Sequence, residues 1–497
     1  MSTISELELE VSAARRKLNE LEHLLHEKRR LHDSAAGGEA GLSGRRTCDG
    51  SSEDSSGKTN ESFESASNSL TKEAIERFSR QIVLEDIGAA GMERIRRGRV
   101  LLVGAGGLGS TIALYLAAAG VGNLRIVDFD TVERSNLHRQ IIHTDVRVGM
   151  KKAESAAESC LAINPQINVS TVTAPFAPSN AEELVRDCDI VVDGSDNVAT
   201  RYLISDAAAR YRRPLVSGSA LKWEGQLSVY CVGQDGPCYR CLFPVPPPAG
   251  AVGSCDDSGV LGTVPGCIGC LQATEVLKLL VGAGEVLDRR LLIFDALSMQ
   301  LRVVKLRGRQ RNCAACGDAA AGTANRTLLE LTADRPEYVM RSCTLNNGQC
   351  SSALPPDARV TPAVFFDKLR ALETAGRKSS MVVVDVRPKG QYDMAHLPCS
   401  SSLPLRQLEM WKQNGTLKAM WKEFTKEAIG SGEGCVDVYI ICRRGIASVR
   451  ATEILRTLEE PVGTTGSSGT KTYFRFINVD GGLTRYHHEA DAAFPLY

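Results

Sequence analysis

The amino-acid sequence predicts two α/β domains of unequal size, preceded by a short amphipathic helix. Short apolar runs that end at Gly or Asp alternate with helical patterns from about 70 to 320, and a similar alternation returns from about 360 onward. Such alternation is typical of a mostly parallel sheet with helices on both faces. A length of 497 residues also exceeds one ordinary hydrophobic core. The predicted divisions are a helix or coiled coil (1–32), a flexible linker (33–68), a larger domain (69–317), a second linker (318–358) and a smaller domain (359–497).

The N-terminal segment carries apolar residues at alternating spacings of three and four. This a/d pattern predicts either a short coiled coil or an amphipathic helix that packs on its own protein. The apolar positions are Ile4, Leu7, Val11, Ala14, Leu18, Leu21 and Leu25. Residues 33–68 are rich in Ser, Gly and acidic side chains, a composition that buries too little apolar surface to order itself.

The overall composition does not point to nucleic acid or a membrane as a partner. Lys+Arg and Asp+Glu both total 59, so bulk charge gives no argument for nucleic acid or an anionic membrane as the main partner. The most apolar stretch, 111–121, has about half of the roughly 20 residues that a membrane span needs. No export signal is evident, so we expect a reducing, cytosolic compartment, in which the 16 cysteines serve metal binding or thiol chemistry.

A glycine-rich loop marks the first candidate site. The sequence GAGGLG at 104–109 follows a predicted strand and opens a predicted helix, and Asp128 ends the next strand. Glycines let the backbone approach phosphate, the helix N-terminus offers free N–H groups, and the acidic residue binds ribose hydroxyls. The pattern predicts a nucleotide site but does not distinguish NAD from ATP. The alternative is a tight turn without a ligand.

The next charged residues favour a triphosphate. Arg139 and Lys152 could neutralise the charge that develops when the α-phosphorus of ATP is attacked, whereas a dehydrogenase needs no such cations. Asp196 follows a buried strand, at the sheet edge where ligands bind in open α/β sheets. A single carboxylate with substrate phosphates suits Mg²⁺. Each charge alone could equally be a solvated surface residue.

Two pairs of cysteines predict a metal site. Cys238, Cys241, Cys313 and Cys316 form two CxxC pairs, which suit one tetrahedral, structural Zn²⁺. A redox pair or unrelated thiols are the alternatives. Cys267 and Cys270 share the spacing but open a helical pattern, where we expect packing.

Cys442 marks the third candidate site. It ends a buried strand pattern, and the sequence RRGIAS at 443–448 leads into a helix. Loop N–H groups and two arginines would stabilise a thiolate or a persulfide. A tyrosine phosphatase would need Arg six positions after the cysteine, where this chain has Ser448. The remaining alternative is a buried cysteine without chemistry.

Further motifs within 72–317 are FSRQ at 78–81, which contains Arg80, SNLHRQ at 135–140 and GSDN at 194–197. Together with the GAGGLG loop, Asp128 and Lys152, they resemble the ThiF/MoeB family in identity and in order. The resemblance implies a Rossmann-like fold that adenylates the C-terminal glycine of a small ubiquitin-like protein, and a homodimer in which Arg80 reaches the ATP of the neighbouring subunit. It places zinc on Cys238, Cys241, Cys313 and Cys316. It also implies an acyl-accepting or resolving role for Cys255, which lies in a Gly/Asp-rich loop. By this resemblance the nucleotide or metal contacts are Gly107, Asp128, Ser135, Asn136, Leu137, His138, Arg139, Lys152, Asp196 and Asn197.

The C-terminal region resembles a rhodanese domain, which carries sulfur as a cysteine persulfide. The matching motifs are DVR at 385–387, HLP at 396–398, the Cys442 loop and DGGL at 480–483. Two departures are the residues Thr484-Arg485-Tyr486, where rhodaneses usually have Ala-Trp, and a Gly/Ser/Thr-rich insert at 463–472.

The combination of both domains resembles the eukaryotic adenylyltransferase/sulfurtransferases that serve molybdopterin synthase. It implies that a Gly-Gly-tailed sulfur carrier is converted to a thiocarboxylate, with sulfur supplied by a cysteine desulfurase, for molybdenum cofactor biosynthesis and for 2-thiolation of the tRNA wobble uridine. Three alternatives stay open: a conjugating activator that uses a Cys255 thioester, an NAD-dependent enzyme and a non-catalytic scaffold.

Overall fold

A computed structural model describes residues 17, 70–247, 259–318, 328, 331, 354–375, 381–429, 434–458 and 472–495. The predicted N-terminal coiled coil, the predicted linker at 33–68 and Cys255 lie outside these residues. All described residues except Lys17 belong to the unit formed by Asn68–Tyr497.

The first sheet has eight strands in the order β3-β2-β1-β4-β5-β6-β7-β8. Its strands are β1 Arg99–Val103, β2 Asn123–Val127, β3 Asn168–Val172, β4 Ile190–Asp193, β5 Leu215–Leu221, β6 Glu224–Tyr230, β7 Arg290–Asp295 and β8 Gln300–Lys305. The first five strands are parallel, and β5 to β8 pair antiparallel. The prediction of a mostly parallel sheet missed this antiparallel extension. Only residues 222–223 join β5 to β6, and so short a connection cannot join parallel strands.

Eight helices accompany this sheet in the described part of the chain. They are α1 Lys72–Ile82, α2 Gly88–Arg97, α3 Gly107–Ala119, α4 Lys152–Ile163, α5 Pro178–Arg186, α6 Val198–Arg210, α7 Tyr239–Leu242 and α8 Thr263–Val281. Short 3₁₀ turns cover Arg134–Asn136 and Asp145–Arg147.

Alternate residues of β1 face two different hydrophobic cores. Val100 and Leu102 pack with α1 to α4 and α8, whereas Leu101 and Val103 pack with α5 and α6. Because the strand is buried on both faces, it reads as a continuous apolar run rather than an alternating one. The helices on both faces confirm the layered arrangement predicted from the sequence.

Helix α8 is long and apolar enough to cross a membrane by length and composition, and half of its most apolar window is buried within the protein. The shorter run at 111–121 was therefore not the most relevant apolar stretch. In this fold, α8 packs beside α3 in the first hydrophobic core, as the central helix of a globular domain does.

A second sheet has five parallel strands in the order β11-β10-β12-β13-β9. Its strands are β9 Arg359–Val360, β10 Met381–Asp385, β11 Ser400–Ser402, β12 Gly434–Ile441 and β13 Thr472–Val479. Its helices are α9 Pro362–Ala375, α10 Lys389–Met394, α11 Leu405–Gln413, α12 Leu417–Ile429, α13 Ile446–Arg456 and α14 Gly482–Glu489, with a 3₁₀ turn at Pro356–Ala358. Two further hydrophobic cores cover its two faces.

Candidate active site

The glycine loop joins β1 to α3 in a conformation that only small residues allow. Gly104 has φ +98°, and a Cβ there would lie 2.7 Å from the Gly194 carbonyl oxygen after β4. A Cβ at Gly109 would lie 2.0 Å from the Gly104 carbonyl oxygen. Helix α3 begins at Gly107 without a side-chain cap, so no side chain occupies the N–H groups of its first turn. Such a turn is suited to binding an anion.

Asp128 holds the glycine loop from the end of β2. Its carboxylate accepts hydrogen bonds from the Ala105 N–H at 2.7 Å and from the Asp130 N–H at 2.9 Å. Burial raises the pKa of Asp128, although Lys152 and these N–H groups act in the opposite direction. Asp128 therefore fixes the loop backbone, and its predicted contact with a ribose stays a prediction.

Lys152 opens α4 with a buried ammonium group. Its Nζ donates to Asp130 Oδ2 at 2.9 Å, and 8% of its side chain is exposed. Burial opposes the charged form, but the carboxylates of Asp128, Asp130 and Asp196 outweigh it and leave the pKa of Lys152 above its ordinary value. A cation is thus held beside the glycine loop at neutral pH.

The segment 135–140 crosses the same region. Arg139 is half-buried, and its Cγ lies 3.6 Å from where a Cβ of Gly107 would be. Arg139 Nη1 donates to His138 Nε2 at 2.8 Å. Partial burial and the Arg139 guanidinium lower the pKa of His138. Asn136 and Leu137 are half-buried, whereas Ser135 is exposed.

Asp196 and Asn197 are both exposed after β4. The carboxylate of Asp196 contributes to raising the pKa of Lys152. The Asn197 side chain accepts a hydrogen bond from the Thr200 N–H at 2.8 Å and caps α6. The structure thus gives Asn197 a helix-capping role that the sequence did not predict.

Two buried groups at this sheet edge were missed. His143 lies between the glycine loop and α4, with Nε2 at 3.0 Å from the Ala105 carbonyl oxygen and Nδ1 at 2.9 Å from Ser155 Oγ. Asp193, at the end of β4, pairs with Arg201 Nε at 2.9 Å. Asp193 ends a predicted strand but was not selected as a site residue, and His143 belongs to no motif or spacing pattern that would have singled it out.

Arg80 is exposed in the last turn of α1. The predicted contact with the ATP of a neighbouring subunit concerns a second chain and stays a prediction. Cys255 lies outside the described residues, so its predicted role also stays a prediction.

The two predicted cysteine pairs come together. The Sγ atoms of Cys238, Cys241, Cys313 and Cys316 lie within 4.8 Å of one another, and all four side chains are buried. Cys238 and Cys313 are 3.5 Å apart, and Cys241 and Cys316 are 3.4 Å apart. Four sulfurs at about 2.3 Å from one Zn²⁺ lie about 3.8 Å apart, so the cluster fits tetrahedral zinc.

The thiols of this cluster influence one another. Cys238 donates to Cys241, which raises the pKa of Cys238 and lowers that of Cys241. The Gln310 N–H also donates to Cys241 Sγ at 3.3 Å. Cys267 and Cys270 lie outside the cluster on α8. Cys267 is exposed and Cys270 is half-buried, so the predicted packing of this pair was wrong for Cys267.

Cys442 follows β12 in a loop that wraps around its own sulfur. The Gly445 N–H lies 3.1 Å from Cys442 Sγ and the Ser448 N–H lies 3.3 Å from it, so two donors converge on one atom. Gly445 has φ +83° and caps α13. The side chain of Cys442 is 3% exposed. This geometry stabilises negative charge on sulfur.

The DGGL segment packs directly behind the Cys442 loop. The Leu483 N–H donates to the Cys442 carbonyl oxygen at 2.8 Å, and a Cβ at Gly482 would lie 2.2 Å from that oxygen. The backbone N–H and the hydroxyl of Thr484 both donate to the Arg443 carbonyl oxygen at 2.9 Å. Tyr486 is buried in a hydrophobic core. Two of the three unusual residues, Thr484 and Tyr486, are therefore held by contacts within the fold.

Two other sequence motifs have structural partners in the part of the chain that forms the second sheet. Arg387 Nε donates to both Asp385 oxygens at 2.9 Å, and this ion pair is buried at the end of β10. His396 is exposed and stacks on Tyr392 with ring centroids 4.1 Å apart. The structure gives both motifs a role in local folding.

Comparison with known proteins identifies the family. Residues 78–315 match the ThiF family. The chain is 39% identical over 497 residues to the adenylyltransferase and sulfurtransferase MOCS3-1 of Zea mays, covering 99% of this chain and 98% of the relative. It is 41% identical over 431 residues to the Bos taurus MOCS3, covering 86% and 89%. A crystal structure of E. coli MccB with MccA-N7isoASN aligns with TM-score 0.44 and 22% identity over 49% of this chain and 75% of that chain. The chain therefore belongs to the MOCS3 family of adenylyltransferases and sulfurtransferases.

Proposed function

We propose that this enzyme adenylates the C-terminal glycine of a ubiquitin-like sulfur carrier and then converts it to a thiocarboxylate with sulfur held on Cys442. We assign adenylation to 69–317 and sulfur transfer to a rhodanese domain at 359–497. The observation that carries the proposal is that one chain holds both a cation-lined glycine loop and a cysteine whose sulfur receives two backbone N–H groups.

The first step joins the carrier to AMP. The carboxylate of the terminal glycine attacks the α-phosphorus of ATP, and pyrophosphate leaves with the electron pair of the broken P–O bond. The N–H groups at the start of α3 bind phosphate, and Asp128 binds the ribose. Lys152 and Arg139 neutralise the charge that develops on the phosphates. The remaining proposed contacts come from Gly107, Ser135, Asn136, Leu137, His138 and Asn197. Asp196 would hold Mg²⁺, and Arg80 would act on the ATP of a partner subunit in a homodimer.

The second step transfers sulfur. The terminal sulfur of a Cys442 persulfide attacks the acyl carbon and AMP leaves, which forms an acyl disulfide. A second thiol, for which we propose Cys255, attacks Cys442 Sγ, and the thiocarboxylate leaves with the bonding electrons. A thiol reductant then reduces the resulting disulfide, and a cysteine desulfurase restores the persulfide.

We also propose a setting for this chemistry. We assign the thiocarboxylate product to molybdenum cofactor biosynthesis and to tRNA wobble-uridine 2-thiolation, in the cytosol. Neutral bulk charge suits a protein carrier as the direct partner rather than nucleic acid.

Mass spectrometry of the carrier tests the proposal. A Gly-Gly-tailed carrier is incubated with the enzyme, ATP, Mg²⁺, a cysteine desulfurase and cysteine, and we expect one oxygen to be exchanged for sulfur. Cys442→Ala should abolish this exchange and leave ATP–pyrophosphate exchange intact. Cys399→Ala removes an exposed cysteine of the same unit and serves as the matched control.

Other outcomes would contradict the proposal. Thiocarboxylate formation by the Cys442→Ala variant would refute the role of Cys442. A carrier thioester on Cys255, without any thiocarboxylate, would favour a conjugating activator. Binding of NAD, with no carrier-dependent ATP–pyrophosphate exchange, would favour a dehydrogenase. A wild-type protein that binds the carrier but shows neither ATP–pyrophosphate exchange nor sulfur transfer would indicate a scaffold.

Structural zinc has its own test. Cys313→Ser should release about one Zn²⁺ per chain and lower the melting temperature, because three sulfurs and a hydroxyl bind zinc less well than four thiolates. Metal analysis and thermal unfolding measure both effects. Cys270→Ser is the matched control, and unchanged zinc content in Cys313→Ser would contradict the assignment.

A further inference from the structure

His143 is a buried ionisable group at the glycine loop that the proposed mechanism does not use. It is 4% exposed and bonds two different elements, the glycine loop through Ala105 and helix α4 through Ser155. Ser155 lies one helical turn after Lys152. One imidazole therefore connects the loop that would bind phosphate with the helix that carries the buried cation.

The partners determine which ring nitrogen of His143 carries the proton. A carbonyl oxygen only accepts, so Nε2 must carry hydrogen and donate to Ala105. In the neutral ring Nδ1 then accepts, so Ser155 Oγ donates to it. Burial lowers the pKa of His143 to about 4, with smaller contributions in the same direction from Lys152 and Arg147. The imidazole is therefore neutral at physiological pH and adds no charge to the site.

Peptide geometry gives the His143 hydrogen bond a consequence for the loop. The Ala105 carbonyl belongs to the peptide unit whose N–H is that of Gly106. In a trans peptide the C=O and N–H point in opposite directions, so holding the carbonyl towards His143 directs the Gly106 N–H away from it. The preceding peptide is fixed separately, because the Ala105 N–H donates to Asp128. Two side chains thus hold two consecutive peptide units of the loop.

The geometry points to His143 as a positioning residue that sets the direction of the Gly106 N–H and keeps the glycine loop in register with Lys152 for binding the phosphates of ATP. This inference rests on the proposed adenylation activity. It adds a residue that has no motif, does not touch the substrate and acts only through the backbone.

The test separates hydrogen bonding from packing. His143→Leu keeps an apolar side chain of similar size but cannot donate to Ala105, whereas His143→Gln can place an amide N–H near the same carbonyl. We expect His143→Leu to raise the KM for ATP in ATP–pyrophosphate exchange about tenfold, with kcat changed less than about threefold, which corresponds to one hydrogen bond. His143→Gln should restore most of the affinity.

Further measurements keep the result interpretable. Calorimetric titration with the α,β-methylene analogue of ATP should give the highest affinity for the wild type, a slightly lower one for His143→Gln and the lowest for His143→Leu. Cys160→Ala disturbs the packing of α4 without touching the loop, and its KM should stay near that of the wild type. If His143→Leu does not fold, Ser155→Ala removes the second hydrogen bond of the ring, and the KM should rise about threefold.

Two results would overturn the role of His143. One is an unchanged KM in a folded His143→Leu variant, or in Ser155→Ala if the leucine variant does not fold. The other is a His143→Gln variant no better than His143→Leu. Failure of the wild-type protein to bind the ATP analogue would instead refute the proposed adenylation, so the two failures are distinguishable.

Discussion

The glycine loop and the Cys442 loop have the same construction and point their N–H groups differently. Each connects a buried parallel strand to a helix through a glycine at positive φ, Gly104 in one and Gly445 in the other. At the glycine loop, the side chains of Asp128 and His143 form hydrogen bonds with the backbone of Ala105, and the first turn of α3 has no side-chain cap. At the Cys442 loop, two N–H groups converge on the sulfur of the chain itself. The same element can thus bind a diffusible anion or stabilise a covalently attached one.

The largest expected effect is that removal of the Lys152 charge impairs the reaction at the glycine loop and leaves the Cys442 loop unaffected. Lys152→Met should reduce carrier-dependent ATP–pyrophosphate exchange about 10³-fold, because a buried cation beside the phosphates is lost. Persulfide formation on Cys442, followed by mass spectrometry, should be unchanged. Lys151→Met is the matched control, since the Lys151 ammonium bonds the Phe129 carbonyl oxygen instead, and its exchange rate should stay within about threefold. Equal losses in both variants would contradict a specific role for Lys152.

Matched glycine substitutions test whether the two loops fail independently. Gly104→Ala and Gly445→Ala each force a Cβ to within 2.7 Å of backbone at positive φ, so each should cost about 3 kcal/mol and abolish only its own activity. Gly149→Ala and Gly415→Ala also have positive φ but meet nothing within 4 Å, so about 1 kcal/mol is expected. Both activities and thermal unfolding would be measured. Loss of both activities in either loop variant would show that the loops are coupled.

The pH dependence of the glycine loop is the next effect in size. The pKa of His143 is about 4 in the folded protein and 6.5 when exposed, so the unfolded loop binds more protons between these values. Stability of the loop should therefore be constant above pH 6.5 and fall as the pH drops towards 4. Without screening, this pKa difference would lower the free energy of unfolding by about 2 kcal/mol between pH 6.5 and 5. Solvent screening reduces the expected loss to roughly 1 kcal/mol.

Hydrogen exchange would detect this pH effect. Corrected exchange of the peptide that contains α3 should accelerate in the wild type at pH 5 relative to pH 7. The difference should shrink in His143→Gln, which cannot take up the proton. Equal acceleration in both proteins would exclude His143 as the titrating group.

The smallest effect concerns the support behind Cys442. Thr484→Ala removes the hydroxyl donor to the Arg443 carbonyl oxygen but leaves the backbone N–H on the same oxygen. Sulfur transfer should slow only two- to threefold, about 0.5 kcal/mol. Thr484→Ser should be indistinguishable from the wild type in single-turnover thiocarboxylate formation. A loss above about tenfold would mean that the hydroxyl itself takes part in the chemistry.

Local patterns predicted most of the fold and the candidate sites. The GAGGLG loop, the strand-ending Asp128 and the cysteine pairs are short motifs whose spacing reflects their geometry, and the structure brings each set together. The antiparallel strands β6 to β8 differ from the parallel strands in burial: β6 begins with alternating exposed and buried residues, β7 is mostly half-buried, and every residue of β8 is exposed. His143 was missed because its partners are a loop carbonyl and a helix hydroxyl, which only the folded chain brings within reach.

The burial of Cys442 Sγ determines which form of the cysteine reacts with a large molecule. With 3% of its side chain accessible, the bare thiol is shielded from a protein-sized acyl group. A second sulfur extends the side chain by about 2 Å. Under the proposed function, loading of Cys442 with sulfur would lengthen the nucleophile as well as activate it, and the enclosed position would favour delivery of sulfur over formation of a dead-end thioester.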